Sequence, residues 1–211
     1  MGYHRAGFEV VGVDIRPQPR YPFEFHQGDA LDWLADVLLV QRTGLHEQTG
    51  INFRFHAIHA SPPCQAYSRL RHLPWLKDRE YPRLLEPTWR LLEMTGVPWV
   101  IENVEDAPMP WSVVLCGLMF DLPLYRHRRF GASFLMLEPS HPRHEHVIYS
   151  GRLLNSRYSR ASGGVTGVLP VAVGEAGRAM GIDWMQRDEL TQAIPPAYTR
   201  WIGERLMEVV G

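Results

Sequence analysis

The chain has 211 residues, 45% of them hydrophobic and 21% charged, and a formal net charge of −1. That is enough for one domain with a full core and a small appendage. Two cysteines, Cys64 and Cys116, argue against a disulfide scaffold, and no apolar run approaches the ~20 residues a bilayer span needs. No signal peptide is visible, so a reduced, cytoplasmic, monomeric protein without membrane contact is expected.

In chain order, Met1 to Gly7 reads as the tail of a helix with a glycine stop. Glu9 to Val13 is a short strand with Asp14 at its end. Arg16 to Pro22 is a proline-rich turn, Phe23 to His26 a candidate strand, and Gly28-Asp29 follows it. Leu31 to Val40 has helical apolar spacing, and Phe55 to Ala60 reads as a strand. Tyr81 to Thr95 is amphipathic, with Leu84, Leu85, Trp89, Leu91, Leu92 and Met94 at helical intervals and Gly96 as its cap. Trp99 to Ile101 is a strand ending in Glu102-Asn103-Val104, and Ser112 to Cys116 is another. Val171 to Met180 and the stretch after Pro195-Pro196 read as helices, the prolines opening the second where a missing N–H does no harm. Strands alternating with helices predict an α/β fold with a largely parallel sheet.

Charge is unevenly spread. Leu124 to Pro170 carries seven Arg and two Glu with no Lys or Asp, a local +5 that leaves −6 for the remainder. A basic stretch on an otherwise acidic chain suits a surface that meets phosphate. Within it, Pro139 to Gly167 is rich in Ser, Gly, Arg, His and Asn and lacks periodicity, as a loop-rich insertion would.

Polar residues stand at three predicted strand ends: Asp14, Cys64 and Glu102, with Asp29 after a fourth. Cys64 sits in Ser61-Pro62-Pro63-Cys64-Gln65, where the prolines cannot continue a ladder and present the cysteine on a stiff turn. In open α/β sheets ligands bind at that end of the strands. Each residue also has a plain structural reading: a buried small hydrophobe for Cys64, turn formers or caps for the aspartates, a salt-bridge partner for Glu102.

Taken together, these motifs resemble the DNA cytosine-5 methyltransferases, most closely the compact versions that phages and some bacteria carry. Pro63-Cys64-Gln65 is similar to the family's Pro-Cys-Gln nucleophile loop and Glu102-Asn103-Val104 to its Glu-Asn-Val motif. Leu124-Tyr125-Arg126-His127-Arg128 resembles its Gln-x-Arg-x-Arg motif, with Leu124 in place of Gln. Thr191-Gln192-Ala193-Ile194-Pro195-Pro196 is similar to the late Gly-Asn-Ala-Val-Pro-Pro motif, with two departures at its start.

The resemblance implies a class I S-adenosyl-L-methionine-dependent methyltransferase with a Rossmann-like sheet. Residues 1–133 would form the catalytic core, 134–170 a short target-recognition insertion, and 171–211 helices returning to the core. Cys64 would attack carbon 6 of a flipped cytosine and Glu102 would hold N3 and the exocyclic amine. Arg128, with Arg126 behind it, would contact the base O2 and steady the loop. Asp14, Ile15, Asp29, Pro62 and Gln192 would contact the cofactor. Gln65, Ser68, Arg152, Arg157 and Arg160 would face double-stranded DNA. The family's first strand and glycine-rich turn have no counterpart here. A central strand between those ending at Asp14 and Ala60 is therefore expected to be missing, with Met1 an internal methionine of a longer protein.

No metal is expected: His141, His144 and His146 have no cysteine near them in sequence and match no strong zinc spacing. Cys116 reads as core. Two other functions fit parts of the pattern: a methyltransferase-like DNA-binding protein with impaired turnover, and a nucleotide-level pyrimidine methylase.

Overall fold

The structure, a computed structural model, describes residues 1–43, 55–76, 78–144 and 173–211. In chain order it contains α1 (Gly2–Arg5), β1 (Val11–Asp14), β2 (Glu24–Gln27), α2 (Ala30–Thr43), β3 (Ile58–Ala60), α3 (Leu85–Thr95), β4 (Trp99–Asn103), β5 (Ser112–Leu115), β6 (Arg128–Ala132), α4 (Val173–Met180), α5 (Arg187–Gln192) and α6 (Pro196–Val210). The fold is α/β with a mixed sheet. Among the described residues no helix is long and apolar enough to cross a membrane.

The strands form two sheets, one of order β1-β2 and one of order β3-β4-β6-β5. β1 and β2 run parallel, as do β3 and β4. Among the described residues no strand bridges β1 and β3. β6 departs from the parallel pairing of β1–β2 and β3–β4. It runs antiparallel to β4, pairing Glu102 with Phe130 and Asn103 with Arg129. Its sequence, Arg-Arg-Phe-Gly-Ala, has one large apolar side chain and a glycine, so neither alternation nor β-propensity marks it as a strand.

The chain divides into two compact units. One comprises Val10–Ser112, Arg129–Met136 and Glu208–Gly211. All five residues of β4 are buried, which is the environment of a strand covered on both faces. α3 begins after Leu84 and ends at Gly96, whose φ of 65° is the left-handed cap that glycine adopts without strain. Its Leu85 and Leu92 enter a core with Leu34, Trp99 and Ile101. Trp89 meets Trp99 edge-on at 5.0 Å and overlies Gly131 of β6, where a Cβ would lie only 3.0 Å from the indole.

The other unit comprises Met1–Glu9, Val113–Arg128 and Leu137–Met207. α6 opens at Pro196 and buries Tyr198, Ile202 and Leu206, spaced four apart on one face. α1 lies against the first turn of α6: a Cβ on Gly2 would collide with the Thr199 side chain and the Pro196 carbonyl oxygen. α4 and α5 share a core of Ala176, Ala179, Met180 and Leu190 with Leu124. α5 was not expected. It is six residues long and is started by Glu189, whose carboxylate accepts from the Gln186 backbone N–H at 2.7 Å.

Candidate active site

Cys64 leaves β3 on a short, fixed turn. Pro62 is buried and Pro63 exposed, and the Cys64 carbonyl accepts from the N–H groups of Tyr67 at 3.0 Å and Ser68 at 2.9 Å. The cysteine itself is half-buried. Gln65 is exposed and Ser68 half-buried on the same turn. A 3-10 turn, Arg69–His72, follows directly.

Because Ala60 pairs with Ile101 in parallel register, the chain after β3 leaves the sheet beside the end of β4. That end carries Glu102, 8% exposed, and Asn103, fully buried. Two adjacent polar residues in the most buried strand demand partners. Asn103 finds one across the strand pair: its Nδ2 donates to the Pro62 carbonyl at 3.0 Å, while its Oδ1 accepts from the Val104 N–H at 3.0 Å. The two motifs, 41 residues apart, are thus joined by one side chain. Asn103→Ala is expected to cost about 1–3 kcal/mol by leaving buried groups unpaired. A lowered urea midpoint would report it, and faster alkylation of Cys64 would report a loosened turn.

At the base of this loop His59 lies 3.0 Å from the Ser61 hydroxyl and packs near Phe130. Although part of the residue stays open to solvent, burial of the ring pushes the imidazole down to about 4. The unfolded chain then binds more protons than the folded one between the ordinary histidine value of 6.5 and 4. Stability from this group is therefore complete above pH 6.5 and lost as pH falls towards 4. Urea midpoints across that window should drop less in His59→Gln than in the parent chain.

The β1–β2 sheet presents a second pair of strand ends. Asp14 pairs with Gln27, and the Gly28 N–H donates to the Asp14 carbonyl at 3.0 Å, so Asp14 and Asp29 stand on adjacent exits. Asp14 accepts from the Arg16 N–H at 2.8 Å and from Gln18 Nε2 at 3.2 Å. Asp29 accepts from the Leu31 N–H at 2.8 Å at the start of α2. Ile15, 66% exposed, lies next to them. Two carboxylates thus stand beside an uncovered aliphatic side chain.

Beyond the thiol turn, Arg69, Arg71, His72 and Arg83 line a cleft with Asp106. Arg69 pairs with Asp106 through Nε and NH2, holding that carboxyl below the usual range by the hydrogen bond. Arg71 reaches back to the Ala66 carbonyl. Arg129 donates to the Glu105 carbonyl at 2.7 Å and to the Ser112 hydroxyl at 3.0 Å, a structural tie that spacing alone does not reveal.

In the other unit, the arginine motif and the late proline motif lock together. Arg126 is 1% exposed. Its Nε donates to the Ala193 carbonyl at 2.8 Å and its NH2 to the Thr191 carbonyl at 2.9 Å. Its guanidinium thus binds the backbone of the turn before Pro195, which suits a residue that stands behind Arg128 and steadies the loop. Its φ of 29° is unusual for a residue with a side chain. The conformation is held by Tyr198, whose hydroxyl donates to the Arg126 carbonyl at 2.9 Å, and by the Gly117 N–H on the Tyr125 carbonyl at 2.8 Å. Arg128 is half-buried and donates to the His127 carbonyl at 2.9 Å. Gln192 is exposed at the end of α5. Arg152, Arg157 and Arg160 lie outside the described residues.

Cys116 is fully buried, as expected, but its thiol has a polar neighbour that the sequence reading missed, His144 Nε2 at 3.3 Å. No protein-family model and no curated relative matches the chain.

Proposed function

We propose that the protein is a DNA cytosine-5 methyltransferase that works through a covalent bond between Cys64 and carbon 6 of a flipped-out cytosine. The observation that carries this reading is the Asn103–Pro62 hydrogen bond across the parallel β3–β4 pair. It fastens a thiol-bearing turn to the strand end that holds a buried carboxyl, so a nucleophile and a proton carrier stand on neighbouring exits.

Carbon 5 of cytosine is a poor nucleophile. When the Cys64 thiolate adds at carbon 6, the 5,6 double bond opens and an electron pair becomes available at carbon 5. Glu102 gives N3 its proton and accepts from the exocyclic amine, offsetting negative charge as it develops in a site with little water. Arg128 is the partner for O2 in this reading. The base leaves the duplex at a cost of a few kcal/mol.

Asp14, Asp29 and Ile15 hold the nucleoside end of S-adenosyl-L-methionine, with Pro62 and Gln192 as its further contacts. When bound, that cofactor supplies a methyl on a sulfonium sulfur, the electrophile carbon 5 needs. Loss of the carbon 5 proton to water, return of the N3 proton to Glu102 and expulsion of the Cys64 thiolate then restore the ring. Gln65 and Ser68 face DNA, and the arginines after them suit backbone phosphates. Arg152, Arg157 and Arg160 are proposed to add contacts from the insertion.

The test is transfer of labelled methyl to double-stranded DNA, free dCMP and free dUMP in parallel. Label at carbon 5 of cytosine in DNA is expected. Label in the free nucleotides alone would favour the nucleotide-level methylase, and DNA binding without label would favour the impaired protein.

A further inference from the structure

Three histidines and a cysteine that the methyl-transfer chemistry does not use come together in the unit containing α6. Cys116 directly follows β5, is fully buried, and enters the 3-10 turn Gly117–Phe120. His127 lies between Arg126 and Arg128. His141 and His144 are the two ends of His-Pro-Arg-His, three residues apart, in a stretch without helix or strand. One ligating atom from each of the four lies within 4.8 Å of all the others.

We propose that Cys116, His127, His141 and His144 bind one zinc ion, or a divalent cation of the same borderline class, in a closed structural site. The donor spacing supports this. Zinc–nitrogen bonds of about 2.0–2.1 Å and zinc–sulfur bonds of about 2.3 Å in a tetrahedron put neighbouring donors about 3.3–3.6 Å apart. Cys116 Sγ to His144 Nε2 is 3.3 Å, and His127 Nε2 to His141 Nε2 is 3.3 Å. The remaining pairs lie within 4.8 Å and would close on an ion by small side-chain adjustments.

Hydrogen bonding accounts for these contacts two at a time, because one imidazole nitrogen must donate while its neighbour accepts. It gives no reason for four donor atoms to converge on one point. A cation does. The rings are also held in place: His144 stacks on buried Tyr125 at 3.9 Å and 11° between planes, and His141 is nearly parallel to His127 at 5.6 Å. One thiolate and three imidazoles, with no carboxylate, select zinc-like ions over magnesium or calcium. Four protein donors leave no open position for water or substrate, so the ion is structural.

The site would clamp three stretches of chain. His127 is the neighbour of Arg128, and His141 and His144 lie within the segment assigned to target recognition, residues 134–170. The ion would therefore tie the start of that segment to Cys116 and to the arginine motif.

The 211-residue chain, purified without a histidine tag, should contain about one zinc per molecule by mass spectrometry of the metal. Cobalt exchanged into the site should give a thiolate-to-metal charge-transfer band. That band should persist in Cys64→Ser and vanish in Cys116→Ser. The double variant His141→Ala/His144→Ala changes only exposed side chains and should stay folded by circular dichroism while losing most of its zinc. A folded parent chain that takes up no stoichiometric zinc or cobalt would overturn the proposal, as would a charge-transfer band that survives in Cys116→Ser. Metal content is read without reference to methyl transfer, so this result stands apart from the activity assay.

Discussion

Cys64→Ser is expected to lower methyl transfer to DNA by about 10³-fold or more, because a hydroxyl is far less nucleophilic than a thiolate and nothing else in the turn can take its place. The turn itself should survive the exchange. Its geometry rests on backbone bonds from Tyr67 and Ser68 to the Cys64 carbonyl and on Asn103 holding the Pro62 carbonyl. Folding stability and S-adenosyl-L-methionine binding should therefore change little. Parallel measurements of turnover, urea midpoint and cofactor affinity separate a lost nucleophile from a damaged fold. A variant that retains a tenth or more of parental activity would remove Cys64 from the chemistry.

Arg126→Met is expected to cause the largest loss of stability among single changes to the family-like motifs, about 2–4 kcal/mol. Methionine fills much of the space but offers no donors to the Thr191 and Ala193 carbonyls. Those carbonyls shape the turn that leads into Pro195 and Pro196 and so into α6. The released strain works in the other direction, since a residue at a φ of 29° gains from relaxing. Loss of the buried bonds outweighs it. Arg126→Lys should recover only part of the stability, because one ammonium cannot reproduce the fork that spans two carbonyls. Chemical denaturation of the three proteins measures the ordering parent, lysine, methionine.

Much of the fold is legible in the sequence because its elements carry local signals. α3 has helical apolar spacing and a glycine cap, α6 opens on prolines, and β4 begins with the apolar run Trp99-Val100-Ile101. β6 and α5 lack such signals. β6 is a strand because β4 offers it an edge and Trp89 covers its glycine, both tertiary facts. The candidate site divides in the same way. Cys64, Glu102, Asp14 and Asp29 announce themselves by standing at strand ends. The parts of Asn103 and Arg126 depend on partners 41 and 67 residues away, which no local pattern displays. Cys116 illustrates the limit most sharply. Its apolar neighbours identify it as core, and it is core, yet 28 residues separate it from the imidazole that its thiol meets.

The most direct test of the central claim is covalent trapping. DNA containing 5-fluorocytosine should, in the presence of S-adenosyl-L-methionine, form an adduct with the chain that survives denaturation, because fluorine in place of the carbon 5 proton blocks the elimination that frees Cys64. Mass spectrometry should place the DNA on the peptide containing Cys64, with no adduct from Cys64→Ser. A folded chain that binds both DNA and S-adenosyl-L-methionine yet yields no adduct, or an adduct on Cys116, would contradict it.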